Sequence, residues 1–241
     1  MNVSVCFFAV QAHESELVFV LKKSTPEAKV IIAVLIVFSI FAWSTMAAKA
    51  MQMRRAKRLN ALFENEFRAQ EKVLGIFDRK LQVEGCPLFA VYKAGCTELD
   101  ARLRSTGVGA ARREMMSLKG MAHVTRVLER SVAEESLKLE SGLILLAIAV
   151  SGAPFLGLLG TVWGVMSTFS YIARLGNADL ATMAPGVSAA LVTTVAGLLV
   201  AIPSMFGYNW LVHTLRVLTV QLDNFAQELV SKVETEYLKD E

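Results

Sequence analysis

Three long stretches of this chain carry no Asp, Glu, Lys or Arg: Val30 to Ala48, Ser141 to Ala173, and Leu180 to Leu215. The first is 19 residues long, close to the ~20 that an α-helix needs to cross the hydrocarbon core of a bilayer. The other two run to 33 and 36 residues, longer than one crossing, so their helices tilt or continue past the membrane. A hydrophobic content of 54% and a mean hydropathy of +0.46 agree. The reading is an all-α integral membrane protein with three transmembrane helices, the second and third long and extending into the cytoplasm.

The polar remainder excludes several classes of function. A net charge of +3 is too small to imply a nucleic-acid partner, and no zinc-ligand spacing or aromatic-interleaved basic patch supports one. Cys6, Cys86 and Cys96 are odd in number and contain no CxxC. They read as small buried thiols rather than as a disulfide framework or a metal site. There is no phosphate-binding glycine loop, nucleophile elbow or His/Asp/Glu cluster, so the chain is not expected to be an enzyme or to hold a cofactor.

Residues 1–29 form a periplasmic or interfacial segment in this reading. Its apolar run, Val3 to Val10, has no basic residue before Lys22. It is expected to be uncleaved, with a signal cleaved near Ala12 as the alternative. Ser24-Thr25-Pro26-Glu27 has the chemistry of a helix start: a hydroxyl cap, a proline in the first turn and an acid at the positive end of the dipole. The first span, 30–48, is apolar all round and reads as a lipid-facing anchor.

Lys49, Arg54, Arg55, Lys57 and Arg58 follow it, against Lys22, Lys23 and Lys29 before it. Basic residues mark the cytoplasmic flank, which puts the N-terminus outside. Phosphoinositide or nucleic-acid binding is the other reading of the cluster. Residues 49–140 hold 18 Lys/Arg and 12 Asp/Glu and form a cytoplasmic helical region. Leu59, Leu62, Phe63, Phe67, Leu74, Phe77 and Leu81 recur at helical spacing up to the breaker Glu84-Gly85-Cys86-Pro87. Leu88, Val91, Tyr92, Gly95, Leu99 and Leu103 mark a second helix, which Ser105 to Gly109 ends. A third is expected from about Ala111 through Met115, Met116, Val124, Val127, Leu128 and Val132. Because no glycine or proline lies between Met121 and Ser141, it can run unbroken into the second span. His123, alone on it, is expected at the surface.

The second span with its lead-in covers 141–173, a periplasmic turn 174–179, the third span 180–212 and an amphipathic cytoplasmic tail 213–241. Pro154 removes a helical hydrogen bond from the second span. Beyond it Gly157, Gly160, Thr161, Gly164, Ser167, Thr168 and Tyr171 share one face. Gly186, Ala190, Thr193, Thr194, Gly197, Ala201 and Ser204 stripe the third span, with Pro185 near its start and Pro203 near its inner end. Small residues at such spacing let helices approach closely in a bilayer, and packing is the preferred reading of the glycines. Thr161 either bonds back to its own helix or lines a path. An intramembrane carboxylate would mark a proton relay, and these spans have none. The chain can therefore supply the walls of an ion path but not its titrating group.

The segment GLLGTVWGVM (Gly157 to Met166), the segment MAPGVSAALVTTVAGLLVAIP (Met183 to Pro203) and Tyr208-Asn209 resemble the ExbB/TolQ proton-channel family, which is related to the flagellar stator protein MotA. The resemblance extends to the order of the spans, the large insert and the tail. It implies an oligomeric helical bundle in the bacterial inner membrane, with the C-terminus cytoplasmic. It further implies a pentamer around an ExbD- or TolR-like single-span partner carrying a membrane aspartate. Proton flow, or sodium flow as the alternative, would drive a TonB- or TolA-like protein. By position Thr161 and Thr194 match the family's pore-facing threonines. Thr193, Ser188 and Ala189 are expected to line the channel with them. Pro154, Gly157, Gly160, Gly164, Pro185, Gly186, Gly197 and Pro203 are expected to set packing and helix shape. The chain departs from the family at Ala189, where relatives commonly have glutamate. The alternative reading is a non-conducting membrane scaffold that binds partners through its cytoplasmic helices; a stand-alone channel is a third.

Overall fold

A computed structural model describes residues 26–79, 81, 83–105, 115–176 and 179–238. The N-terminal interfacial segment, its Ser24–Thr25 cap, Cys6, Gly107 to Ala111, and Asn177 and Ala178 of the turn after the second span lie outside the described residues. The described elements are helices α1 (Pro26–Ala69), α2 (Gly75–Asp78), α3 (Pro87–Ser105), α4 (Leu118–Glu140), α5 (Leu143–Leu175) and α6 (Leu180–Tyr237). No strand occurs among the described residues; Met116 and Leu238 make an isolated bridge. The chain divides into two compact units.

The first unit contains the residues up to Met46 together with Gly142–Asn209. Windows of α1, α5 and α6 are long and apolar enough to cross a membrane, with mean hydropathies of 2.5, 2.3 and 2.0. This unit is built inside out relative to a water-soluble bundle. Phe155, Ile144 and Leu199 are 72%, 68% and 68% exposed, whereas Ala153, Ala190 and Thr193 are fully enclosed. Large apolar side chains thus face outward and small ones fill the interior, the arrangement expected where the solvent is lipid and packing must come from close backbone approach. Leu35 of α1 packs against Ala153 of α5 and Val200 and Ala201 of α6.

The second unit contains Ala47–Ser141 and Trp210–Glu241. An aromatic cluster forms its centre. Phe63 lies edge-on to Phe89 at 5.5 Å and to Phe225 at 5.8 Å, and Phe67 lies edge-on to Tyr92 at 5.8 Å. These contacts tie together α1, α3 and the last turns of α6, and Leu128 and Val132 bring α4 into the same core. The Tyr92 hydroxyl donates to the Val73 carbonyl (2.6 Å) and accepts from the Phe77 N–H (2.9 Å), holding the α1–α2 turn. Burial pushes the Tyr92 phenol far above its ordinary pKa, so it stays protonated and able to donate.

Helix boundaries differ from the sequence reading in three places. The amphipathic pattern from Leu59 is not one helix to Leu81: it is the continuation of α1, which stops at Ala69. There the Lys232 ammonium donates to the carbonyls of Gln70 (2.9 Å) and Phe67 (3.4 Å), and the Glu236 carboxylate accepts from the Val73 N–H (2.7 Å). Side chains from the far end of the sequence supply the cap that local residues do not. Secondly, Met115 and Met116 precede α4 rather than lie on it. Ser117 caps that helix, accepting from the Gly120 N–H at 3.3 Å, while the Met116 N–H donates to the Tyr237 carbonyl. Thirdly, α4 does not run unbroken into α5. Gly142 takes φ +82°, a left-handed conformation that glycine adopts without steric cost. The Ser141 hydroxyl satisfies the Lys138 carbonyl at 2.7 Å. His123 is exposed, as expected.

Candidate functional site

The glycine stripes of α5 and α6 face each other. A Cβ built on Gly157 would stand 2.9 Å from the Thr193 carbonyl oxygen and 3.0 Å from the Thr194 Cα. One on Gly164 would stand 2.7 Å from the Ala190 Cβ, and Gly160 faces the Thr193 side chain with no room for one of its own. Gly186 likewise faces Thr168. Real Cβ atoms do not come this close, so the seam exists because these positions lack side chains. Pro154, Pro185 and Pro203 lie inside their helices without ending them.

Removing the side chains exposes backbone carbonyls to the opposite helix, and three threonines use them. The Gly157 carbonyl lies within reach of the hydroxyls of Thr193 (3.0 Å), Thr161 (3.2 Å) and Thr194 (3.2 Å). The Ala190 carbonyl lies 2.6 Å from the Thr193 hydroxyl and 3.2 Å from that of Thr161. The hydroxyls of Thr161 and Thr194 also bond each other directly. The seam is therefore a hydroxyl cluster bridging two helices, with each hydroxyl able to donate to more than one acceptor. The Thr161 hydroxyl bonds back to its own helix at the Gly157 carbonyl and also reaches across the seam to the Ala190 carbonyl.

The five residues expected to line a channel divide in three ways. Thr161 and Thr194 are half-buried and form the open side of the cluster. Thr193 is fully enclosed and its hydroxyl is spent on carbonyls of both helices. Ser188 is exposed and lies apart from the cluster, while Ala189, 1% exposed, is enclosed. Sequence reasoning passed over Ala153, whose carbonyl oxygen would lie 2.6 Å from a Cβ on Gly197. The signal was its place four residues before Gly157, on the same helical face. Hydroxyls can orient and pass hydrogen bonds but do not titrate near neutrality, and neither uncharged stretch supplies a carboxylate. Among the described residues no group of His, Cys, Asp and Glu could hold a metal ion.

Comparison with known proteins follows the same residues. The sequence profile of the MotA/TolQ/ExbB proton channel family matches residues 98–224, which include both resemblance motifs. The Tol-Pal system protein TolQ of Pseudomonas aeruginosa is 31% identical over 184 residues, covering 75% of this chain and 76% of that protein. The TolQ of Haemophilus influenzae is 29% identical over 215 residues, 87% of this chain and 90% of the relative. The biopolymer transport protein ExbB of Xanthomonas campestris pv. campestris is 41% identical over 113 residues, 47% of this chain and 45% of that protein. With three apolar helices of spanning length and these matches, the chain is a multi-pass membrane protein and belongs to the MotA/TolQ/ExbB proton channel family.

Proposed function

We propose that this chain is the wall-forming inner-membrane subunit of a complex driven by the proton motive force, energising an outer-membrane or envelope process. The observation that carries this reading is the hydroxyl cluster of Thr161, Thr193 and Thr194 on a close glycine seam, in spans with no carboxylate. Such a wall needs an acid from elsewhere. A single-span ExbD- or TolR-like partner with a membrane aspartate supplies it, surrounded by a homo-oligomer, a pentamer by family resemblance. The proton is the transported ion in this reading, and a TonB- or TolA-like protein carries the work outward. Thr161 and Thr194 line the path, and Thr193 holds the seam. The N-terminus lies in the periplasm, and 49–140 and 213–241 lie in the cytoplasm.

The test is proton flux into proteoliposomes holding this chain with the single-span product of a neighbouring gene. The double substitution Thr161→Val and Thr194→Val should cut flux at least tenfold while native mass spectrometry still finds the assembled complex. Unchanged flux would remove the hydroxyls from the path and favour the scaffold reading.

A further inference from the structure

Several charges of the second unit are paired within it: Arg68 with Glu64 and Glu228, Arg79 with Glu66, Arg102 with Glu98, Arg104 with Asp100, Arg130 with Glu134 and Lys138 with Glu135. Two clusters of opposite sign stand among the remaining charges. On α1, Arg54, Arg55, Lys57 and Arg58 are exposed, while Met53, Ala56 and Asn60 of the same stretch are buried. Arg54 lies over the Trp210 ring at 5.7 Å, but none of the four has a carboxylate partner among the described residues. Between α4 and α6 lies a groove of about 340 Å³. Leu128, Val132 and Ala226 form its floor, and its rim holds Glu129, Asp223 and Glu234, three exposed carboxylates with no cation partner among the described residues.

The two clusters occupy different faces of the unit, because α1 meets α3 and α6 through its aromatic side. Arg58 and Glu129, one from each cluster, also stand at matching heights. Lys49 donates to the Leu139 carbonyl (3.3 Å) and approaches the Ser141 hydroxyl (3.4 Å), which sets the start of the basic stretch level with the end of α4. From that level Arg58 is nine residues along α1 and Glu129 ten residues back along α4, about 14 and 15 Å at ~1.5 Å per residue. Distinct, complementary patches on one chain are what a head-to-tail contact between identical subunits requires, and such a contact forms a ring when the rotation between subunits closes. An anionic lipid surface would suit the basic patch alone and be repelled by the groove.

We propose that the acidic groove between α4 and α6 docks the basic face of α1 from a second copy of this chain. The inference rests on the oligomer reading above and names the surface through which its polar units meet.

Two tagged copies of the full-length chain, one Arg58→Cys and the other Asp223→Cys, are co-expressed in membranes and mildly oxidised. A disulfide-linked dimer carrying both tags is expected, and neither substitution alone should give it. Native mass of the same preparation reports assembly. Assembly without the cross-link overturns this surface and leaves the proposed function standing; a monomer overturns both. Reversing Glu129, Asp223 and Glu234 to Lys should lower the assembled fraction at least tenfold. Adding Arg54→Glu, Arg55→Glu and Arg58→Glu to that chain should restore it. Wild-type assembly in the triple variant, or no recovery in the compensated one, overturns the charge pairing.

Discussion

Gly197 of α6 and Gly157 of α5 approach so closely that a Cβ on Gly197 would stand 3.2 Å from the Gly157 Cα. Each glycine occupies the space that its counterpart's side chain would need. Gly157→Ala or Gly197→Ala must therefore push the helices apart, at ~1–3 kcal/mol for overpacking of this kind. Gly152 has nothing within 4 Å of its would-be Cβ. Gly152→Ala should be neutral, or stabilise by up to about 1 kcal/mol through helix propensity. Thermal unfolding of the three variants in one detergent separates these outcomes, and equal melting temperatures would disprove the close-contact account.

Tyr92→Phe should destabilise the polar unit by ~1–3 kcal/mol, because it orphans the Val73 carbonyl and the Phe77 N–H. It should also change the response to alkali. The folded-state pKa of this phenol is raised by burial above the ~10 of a free tyrosine. Its contribution is complete below pH ~10 and is lost as pH climbs from there toward the folded value, since only the unfolded chain ionises. Between pH 9 and 11 the wild type should lose more stability than Tyr92→Phe, as read by urea melts at each pH.

Cys86 is 3% exposed, and burial raises its thiol pKa, opposed in part by backbone hydrogen bonds from Phe89 and Leu88. A thiol that is both shielded and protonated reacts slowly. Maleimide labelling of the folded protein at pH 7.5, followed peptide by peptide, should modify Cys86 at least a hundredfold more slowly than in denaturant.

Lys232→Met should cost about 1 kcal/mol by leaving the last carbonyls of α1 without their ammonium partner. Hydrogen exchange would locate the effect, with faster exchange in the final turn of α1 around Phe67 and little change in α4.

The spans were legible because charge is excluded from lipid whatever the fold, so three gaps in the charge pattern mark three crossings. The glycine and threonine stripes were legible because helical spacing places i and i+4 on one face. Their register was not: that three hydroxyls meet at the Gly157 carbonyl depends on how far α6 is shifted along α5, and no local pattern encodes that. Helix ends failed for a related reason. The end of α1 is held by Lys232 and Glu236, more than 160 residues away. The break before α5 turns on Gly142, the residue that follows the glycine- and proline-free stretch Met121 to Ser141. Ser117, in contrast, was a readable cap, three residues before the Gly120 amide it accepts from.

The cluster at Gly157 also has a built-in redundancy. Thr161 can reach two carbonyls and one hydroxyl, and Thr193 two carbonyls. Losing one hydroxyl therefore strands none of the others, because each survivor keeps at least one carbonyl acceptor. The glycines have no such substitute. The seam is fault-tolerant in its polar chemistry and brittle in its steric fit, so its first point of failure is an added methyl group rather than a lost hydrogen bond.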